Sequence, residues 1–287
     1  MILRKAERKQ AKIKMALQGS SGSGKTYSAL LLARGLTDDW SKVAVVDTEN
    51  GSAELYAHLG DFKVINIPSP FTPESYIEAM ELCEKSGIEV IILDSISHCW
   101  DYLLKYHASL TGNSFANWNK VTPRHDAFIN RILQSTCHVV ATMRTKQDYV
   151  LNTINGKQVP EKVGLKAIQR TGLDYEFTIV FDLDQEHKAK VSKDRTSLFS
   201  QTKPFFISEA TGLEILEWTL DGTSVESVRA LIARAESIQS LRELFEKYRS
   251  LYRQLQPDFE NRKIQLQNQI SSSAKTETNG ISNHSIQ

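Results

Sequence analysis

The sequence predicts an α/β fold with a mostly parallel central sheet, flanking helices and antiparallel strands at one edge. Short apolar runs alternate with helix-like stretches over the first half of the chain, which is typical of strand–helix–strand units. Several of these runs end in acidic or glycine-rich segments, at the end of the strand where such sheets bind ligands. Two later runs, Tyr175 to Leu183 and Lys188 to Val191, are joined by a short polar turn and predict the antiparallel pair.

Composition narrows the functional classes. The 287 residues are 40% hydrophobic and 24% charged, with a formal net charge of +1, so any nucleic-acid site must come from local clustering of charge. The cysteines, Cys83, Cys99 and Cys137, are widely spaced, which favours reduced thiols, a cytoplasmic location and no zinc site. No apolar run reaches membrane-spanning length, so no membrane partner is expected.

The chain divides into four predicted segments. Residues 1–12 form a basic helix or arm, for which a solvated helix is favoured over a nucleic-acid contact. Residues 13–220 form the α/β core. Residues 221–270 form a small helical appendage that Pro257 interrupts, and residues 271–287 form a polar, disordered tail.

A motif of the form G-x-x-x-x-G-K-T lies between the first predicted strand and the first predicted helix. Its glycines let backbone N–H groups surround phosphate oxygens at the positive end of the helix dipole. The lysine is expected to reach the β- and γ-phosphates of ATP, and the threonine hydroxyl to bind Mg²⁺. The strand and helix on either side disfavour the alternative of a Ser/Gly-rich surface loop. The predicted nucleotide-binding residues are Gly19, Ser20, Ser21, Gly22, Ser23, Gly24, Lys25 and Thr26.

Two further strands carry acidic residues to the same edge of the predicted sheet. The strand from Lys42 to Asp47 leads into Glu49, which gives this carboxylate a candidate chemical role. The strand from Glu89 to Ser95 contains Asp94 near its end and is interpreted as the Walker B element, which would complete the Mg²⁺ site. The alternative for this aspartate is a cap on the following helix.

The other elements are predicted from periodicity. The remaining apolar runs predict a helix from Pro73 to Lys85 and strands at Lys63 to Ile67, Cys137 to Met143, Phe205 to Ile207 and Leu213 to Leu220. The segment Thr111 to Thr122 is predicted as a polar loop. Its aromatic residues, Phe115 and Trp118, either stack on bases or anchor the loop to the core.

The segment from Arg144 to Arg170 is predicted to be loop-like and is strongly basic. The pair Asn155-Gly156 within it predicts a hairpin turn. Phosphate contacts require such a local density of Lys and Arg, so a nucleic-acid strand is the expected partner, with a solvated ribbon as the alternative. The residues expected to contact DNA are Arg144, Lys146, Lys157, Lys162, Lys166 and Arg170.

Over roughly residues 12–220, the order of these motifs resembles the RecA-like branch of P-loop ATPases. More narrowly, it is similar to the RecA-like ATPases of phages and prophages that are associated with single-strand annealing and recombination. The resemblance implies that Glu49 orients the attacking water and that Asp94-Ser95 ends the Walker B strand. It also implies a γ-phosphate sensor near Arg144, where Thr142 takes the place of the usual Gln or Asn.

Lys193-Asp194-Arg195 resembles an element with which related ATPases reach the γ-phosphate of a neighbouring subunit. The resemblance implies that Lys193 and Arg195 act in trans within a homo-oligomer, either a ring or a filament. Where arginine fingers have been measured, they raise the rate by about 10³ to 10⁵. The alternative is an ordinary strand end at the surface.

Together with these motifs, the resemblance implies a Mg²⁺-dependent ATPase that binds single-stranded DNA through the basic segment, is stimulated by it, and acts in phage recombination or annealing. An annealing or single-strand-binding protein is a further expected partner. The first alternative is a nucleotide-gated oligomeric binding module with little turnover. The second is a small-molecule kinase, which is disfavoured because no arginine-rich lid is evident.

Overall fold

The computed structural model describes residues 12–154, 157–220 and 225–280, with the backbone alone for residues 147–165, 250 and 270–280. The predicted N-terminal arm therefore lies outside the described residues, apart from Lys12. The chain forms two compact units, one spanning Gln10–Thr219 and the other containing Leu220 and the residues that follow it.

The first unit is built on a mostly parallel sheet with antiparallel strands at one edge and helices around it, which confirms the predicted fold class. The strand order is β3-β2-β4-β5-β1-β7-β8-β9, and β6 pairs with β5 alone. The first six strands of this order are parallel, whereas β8 and β9 are antiparallel to their neighbours. The described strands are β1 Lys14–Gly19, β2 Val43–Asp47, β3 Lys63–Asn66, β4 Val90–Asp94, β5 His138–Ile154, β6 Lys157–Ala167, β7 Ile179–Leu183, β8 Lys188–Asp194 and β9 Phe205–Phe206.

The central strands are continuous apolar runs because helices cover both faces of the sheet. Every residue of β2 and β4 is buried, including the aspartate that ends each strand. The helices of this unit are α1 Lys25–Thr37, α2 Pro73–Lys85, α3 Ser97–Ser109, α4 Ser114–Gln134 and α5 Glu209–Thr219. Helix α2 begins and ends at the predicted residues, and the side chain of Thr72 caps it by accepting from the N–H of Ser75.

Helix α5 crosses α1 at Gly35, which lies within α1. A Cβ at Gly35 would lie 2.1 Å from the carbonyl oxygen of Glu209, and one at Gly212 would lie 2.3 Å from that of Leu32. Two glycines thus let the backbones of α1 and α5 approach each other closely. Helix α5 thus packs closely against α1, the helix that starts at the glycine-rich motif.

The predictions for two segments near the helices of this unit are wrong, those for Thr111 to Thr122 and Leu213 to Leu220. The predicted loop Thr111 to Thr122 is mostly helical, because Asn113 caps α4 and the buried residues of that helix recur every three or four positions. Trp118 stacks on His107 at 4.2 Å and packs against the core, whereas Phe115 is exposed. The predicted strand at Leu213 lies in helix α5, whose buried residues also follow helical spacing.

Strand β5 extends beyond the sheet and pairs with β6 as a long antiparallel hairpin. The pairing runs from Thr145 opposite Ala167 to Ile154 opposite Lys157. The two intervening residues, Asn155 and Gly156, on which the hairpin prediction rests, lie outside the described residues. The prediction of a loop-like segment from Arg144 to Arg170 is therefore wrong for most of its length, which is strand.

The second unit consists of three helices in its described part, α6 Val225–Arg234, α7 Ile238–Lys247 and α8 Tyr252–Gly280. Helix α8 runs through Pro257, so the predicted interruption is wrong. Burial of Leu255, Phe259 and Leu266 stabilises the turns on both sides of that proline. The backbone of α8 is helical to Gly280, where the sequence predicts a disordered tail from Ser271, and residues 281–287 lie outside the described residues.

Candidate active site

The parallel strands bring the predicted motifs to one edge of the sheet. Asp47 at the end of β2 pairs in register with Asp94 at the end of β4, and Gly19 at the end of β1 pairs with Arg144 on β5. Because these strands run in the same direction, their carboxyl ends form a shared polar edge. Residues far apart in the sequence therefore lie within hydrogen-bonding distance of one another.

The glycine-rich motif folds as a compact loop that leads into α1. Gly22 and Gly24 have φ angles of 80° and 83°, in the left-handed region that favours glycine. A Cβ at Gly19 would lie 2.4 Å from Oγ of Ser23, so only glycine fits there. This Oγ is buried and has no hydrogen-bond partner among the described residues. An unpaired hydroxyl inside a loop that starts a helix suits a site for phosphate oxygens.

Lys25 points back into this loop. Its Nζ donates hydrogen bonds to the carbonyl oxygens of Gly19 at 3.0 Å and Ser20 at 2.8 Å. Burial lowers the pKa of Lys25, while the carboxylates of Asp94 and Glu49 oppose that shift. The lysine is thus a partly buried cation whose partners are neutral carbonyls, which phosphate oxygens can replace as stronger acceptors.

Thr26 and Asp94 form the candidate metal site. The hydroxyl of Thr26 donates to Oδ2 of Asp94 at 2.6 Å, and the hydroxyl of Thr142 donates to Oδ1. Burial raises the pKa of Asp94, and the nearby carboxylates of Glu49 and Asp47 add to the shift. Hard oxygen donors of this kind fit Mg²⁺. Thr142, the predicted phosphate sensor, is engaged with Asp94.

Glu49 is held by Arg144 through a bidentate ion pair. The Nε of Arg144 donates to Oε1 at 2.9 Å, and Nη2 donates to Oε2. Burial raises the pKa of Glu49, but the hydrogen bonds and charge of Arg144 outweigh it, so the pKa is lowered from its ordinary value. Asp47 shapes the connecting turn by accepting from the backbone N–H groups of Glu49 and Ala53. Arg144, predicted to contact DNA, thus contacts the candidate catalytic carboxylate.

His98 also lies at this carboxylate, and sequence reasoning missed it. Its Nε2 is 3.9 Å from Oε1 of Glu49, and its Nδ1 is 2.9 Å from the hydroxyl of Thr48. The available signal was its position, four residues after Asp94 on the helix that leaves the ligand-binding edge. Arg144 has a second partner that the sequence did not indicate, since its backbone N–H donates to Oγ of Ser97 at 2.9 Å.

The turn between β7 and β8 also contacts the glycine-rich loop, which the sequence analysis did not predict. Gln185 donates from Nε2 to the hydroxyl of Ser20, and a Cβ at Gly24 would lie 3.1 Å from Nδ1 of His187. Tyr27, which directly follows the motif, is exposed, and its ring centroid lies 5.7 Å from that of Tyr56. An exposed aromatic ring beside a phosphate loop is a suitable surface for a nucleobase.

The other residues predicted to contact DNA differ in their environments. Arg170 forms an ion pair with Asp126 at 2.9 Å, so its guanidinium already has an acidic partner. Lys146 and Lys166 are exposed and lie directly opposite each other in the hairpin. The side chains of Lys157 and Lys162 lie outside the described part of the structure.

The two predicted finger residues lie far from the glycine-rich loop of their own chain. Asp194, between them, pairs with Ile179, which pairs with Met15 at the opposite end of β1 from Gly19. Four residues of strand span about 13 Å. Lys193 and Arg195 both donate to the carbonyl oxygen of Tyr175, and the arginine does so at 2.9 Å. Neither residue is part of the site that its own chain forms.

This geometry defines a P-loop nucleotide-binding site, in which Lys25 faces the loop and a threonine–aspartate pair lies beside it. Comparison with known families agrees. The sequence profile of the AAA domain family matches residues 11–206, which is more than half of the chain. The chain therefore belongs to the AAA domain family and contains a P-loop ATPase domain.

The comparisons with solved structures and with curated proteins do not narrow the family further. A KaiC-like protein from the hyperthermophilic archaeon Pyrococcus horikoshii OT3 has a similar structure, with a TM-score of 0.40 and 16% sequence identity over 69% of this chain and 87% of that one. No curated protein matches the chain significantly. In the part of the chain that the structure describes, every helix is too short or too polar to cross a membrane.

Proposed function

We propose that this chain is a Mg²⁺-dependent, RecA-like ATPase that acts on single-stranded DNA in recombination or annealing, as its resemblance to phage-encoded ATPases suggests. The observation that carries the proposal is the position of Arg144. This residue bonds Glu49 at the active edge, and it lies on the strand that extends into the basic hairpin. One strand thus links the candidate catalytic carboxylate to the candidate DNA-binding element.

The site residues have distinct roles in this proposal. Lys25 and the backbone of the glycine-rich loop bind the β- and γ-phosphates, and Thr26 and Asp94 hold the metal ion. A bound Mg²⁺ supplies charge neutralisation at the phosphates. While Arg144 engages both oxygens of Glu49, it lowers the pKa of this carboxylate and so makes it a weaker base. Glu49 orients the attacking water once Arg144 no longer engages both oxygens.

The hairpin supports the choice of a polyanionic partner. Lys146 and Lys166 are directly opposite in the antiparallel pairing and both are exposed. Like charges in that arrangement destabilise a sheet, and a bound phosphate backbone relieves their repulsion. Movement of the hairpin on binding DNA would displace Arg144, which lies at the base of the same strand.

The test is ATP hydrolysis with and without single-stranded DNA. The wild type should show stimulated turnover, and Glu49→Gln should abolish it. Replacing Lys157, Lys162 and Lys166 with Ala should remove the stimulation and flatten the salt dependence of DNA binding. A control variant with Ala at the exposed lysines Lys105, Lys120 and Lys203 has the same change of charge and should keep the stimulation. DNA affinity and stimulation that are equal in the two triple variants would contradict the proposal.

A homo-oligomer with a shared site is the second part of the proposal. Lys193 and Arg195 are too far along the strands to reach their own loop, so they can act only on a neighbouring copy. Mixing the inactive variants Lys25→Ala and Arg195→Ala should restore part of the hydrolysis, because some interfaces then combine an intact loop with an intact finger. Failure of every mixture to exceed the separate variants would exclude action in trans.

The alternative of a nucleotide-gated binding module with little turnover has one observation in its favour, the clamp of Arg144 on both oxygens of Glu49. In that case ATP changes the oligomeric state or the choice of partner, for example an annealing or single-strand-binding protein. Hydrolysis that stays at background with DNA present, together with an ATP-dependent change in molecular mass, would support this alternative.

A further inference from the structure

His98 is a partly buried titratable side chain at the active edge that the proposed function does not use. It lies in the first turn of α3, directly after the strand that ends at Asp94. Its side chain is 14% exposed, and Nε2 faces Oε1 of Glu49 at 3.9 Å. This separation is slightly too long for a hydrogen bond, so a displacement of about 1 Å would form one.

Two contacts fix the orientation of the His98 ring. The ring stacks on Phe71 with centroids 5.0 Å apart and planes inclined by 23°. On its other side, Nδ1 lies 2.9 Å from the hydroxyl of Thr48. Thr48 is itself buried and accepts from the N–H of Ser95 at 3.0 Å. Tilting the ring out of its plane would therefore lose the stacking on Phe71, and flipping it would lose the contact of Nδ1 with Thr48.

One hydrogen-bond arrangement of these contacts places the proton of the ring on Nε2, the nitrogen nearer to Glu49. The hydroxyl of Thr48 has one hydrogen, and Nδ1 of His98 is a nearer acceptor than the carbonyl oxygens of Asp94 and Ser95, both at 3.2 Å. Donation to Nδ1 leaves the proton of a neutral imidazole on Nε2. That N–H is directed at the side of Glu49, where it can donate to Oε1.

We propose that His98 is a positioning residue that takes over Glu49 when Arg144 releases it, with Nε2–H donating to Oε1 so that Oε2 faces the attacking water. The role rests on the proposed ATPase function. Glu49 then has two exclusive arrangements. The bidentate pair with Arg144 engages both oxygens, whereas the bond from His98 engages one and leaves the other for water.

The charges around His98 suit this role. Burial lowers its pKa, the cation of Arg144 lowers it further, and the carboxylates of Glu49, Asp101 and Asp94 act in the opposite direction. Because the net shift is downward, the ring is neutral at pH 7. Removal of Arg144 raises the pKa of His98, so the imidazole is then protonated at higher pH. A protonated imidazole would draw Glu49 into an ion pair.

The first test needs no turnover. The pKa of His98 is measured by NMR titration of the nucleotide-free protein, and its ring signals are assigned from their absence in His98→Gln. Glu49→Gln should lower the pKa of His98. The decrease should be larger in an Arg144→Gln background, because without Arg144 the carboxylate of Glu49 moves into contact with the imidazole before it is removed by the second substitution. An equal or smaller effect in that background would contradict the proposal.

The second test separates positioning from folding. His98→Asn keeps a partner for Thr48 but removes Nε2, so kcat for ATP should fall about tenfold or more while KM stays constant. His98→Gln places an amide near the position of Nε2 and should recover most of the loss. His107→Asn, on the same helix but stacked on Trp118, is the matched control.

The outcomes separate the inference from the function on which it rests. Turnover equal to wild type in His98→Asn, or a change confined to KM, would overturn the positioning role. If the wild type hydrolyses no ATP with or without DNA, the ATPase proposal fails. The NMR comparison still decides whether His98 and Arg144 compete for Glu49.

Discussion

The two ends of the parallel strands stabilise buried polar groups in different ways. At the amino end, Nζ of Lys14 donates to the carbonyl oxygens of Ser135 and Cys137, and Nδ1 of His138 accepts from the N–H of Ile13 at 3.2 Å. These partners are backbone groups that cannot exchange without a change in the fold. The groups at this end therefore stabilise one arrangement.

At the carboxyl end, the partners are side chains or the backbone of the glycine-rich loop. Lys25 donates to loop carbonyls, Asp94 accepts from two threonine hydroxyls, and Glu49 is paired with Arg144. Each of these bonds can be replaced by one to a phosphate, a metal ion or water while the sheet stays intact. The comparison indicates that burial of charge supports stability at one end and ligand exchange at the other.

Substitution of Lys14, which is buried, and of Lys25, which is partly buried, should separate these roles most clearly. Lys25→Ala should reduce ATP hydrolysis by at least about 100-fold, because positioning and charge stabilisation of the phosphates account for most of the catalysis in this class. Its thermal unfolding should change little, because the loss of two hydrogen bonds is offset by removal of the desolvation cost of a partly buried cation. If Lys25→Ala unfolds at a clearly lower temperature than the wild type yet still binds ATP, Lys25 stabilises the fold rather than the bound phosphates.

Lys14→Met tests the amino end of the parallel strands through the pH dependence of the unfolding free energy. Burial lowers the pKa of Lys14 from 10.5 to about 8, so between these values the unfolded state binds a proton that the folded state does not. The unfolding free energy of the wild type should therefore rise with pH across this range, relative to the variant, by up to about 3 kcal/mol. Urea denaturation of both proteins at a series of pH values measures the difference. ATP hydrolysis should remain, and a flat difference would show that Lys14 titrates normally.

Thr142→Val should have the smallest effect of these substitutions. It tests the stability of the fold and the binding of Mg²⁺ in one variant. The hydroxyl of Thr142 donates to the buried carboxylate of Asp94, so its loss should cost about 1 kcal/mol of stability and raise the pKa of Asp94 further. The Mg²⁺ concentration for half-maximal hydrolysis should increase several-fold. Thr142→Ser keeps the hydroxyl and should restore the wild-type requirement. If both variants need the same Mg²⁺ concentration as the wild type, Thr142 has no part in the metal site.

Local patterns were sufficient for much of the fold. The alternation of apolar runs and helices predicted the parallel sheet, and β2, β4 and α2 lie where their periodicity placed them. Predictions failed where tertiary contacts changed the local preference. A polar segment became the start of α4 because one of its faces packs on the core, and the segment predicted as a strand from Leu213 lies in a helix whose buried residues have helical spacing.

The sequence by itself determined the class of ligand, because the glycine-rich motif and the strand ends at Glu49 and Asp94 have recognisable local spacing. Only the tertiary structure decided which of these groups contact one another. Arg144 is 95 residues from Glu49, and no local pattern encodes an ion pair of that separation. The register of β2, β4 and β5 places these side chains together, because parallel strands align their carboxyl ends regardless of distance along the chain.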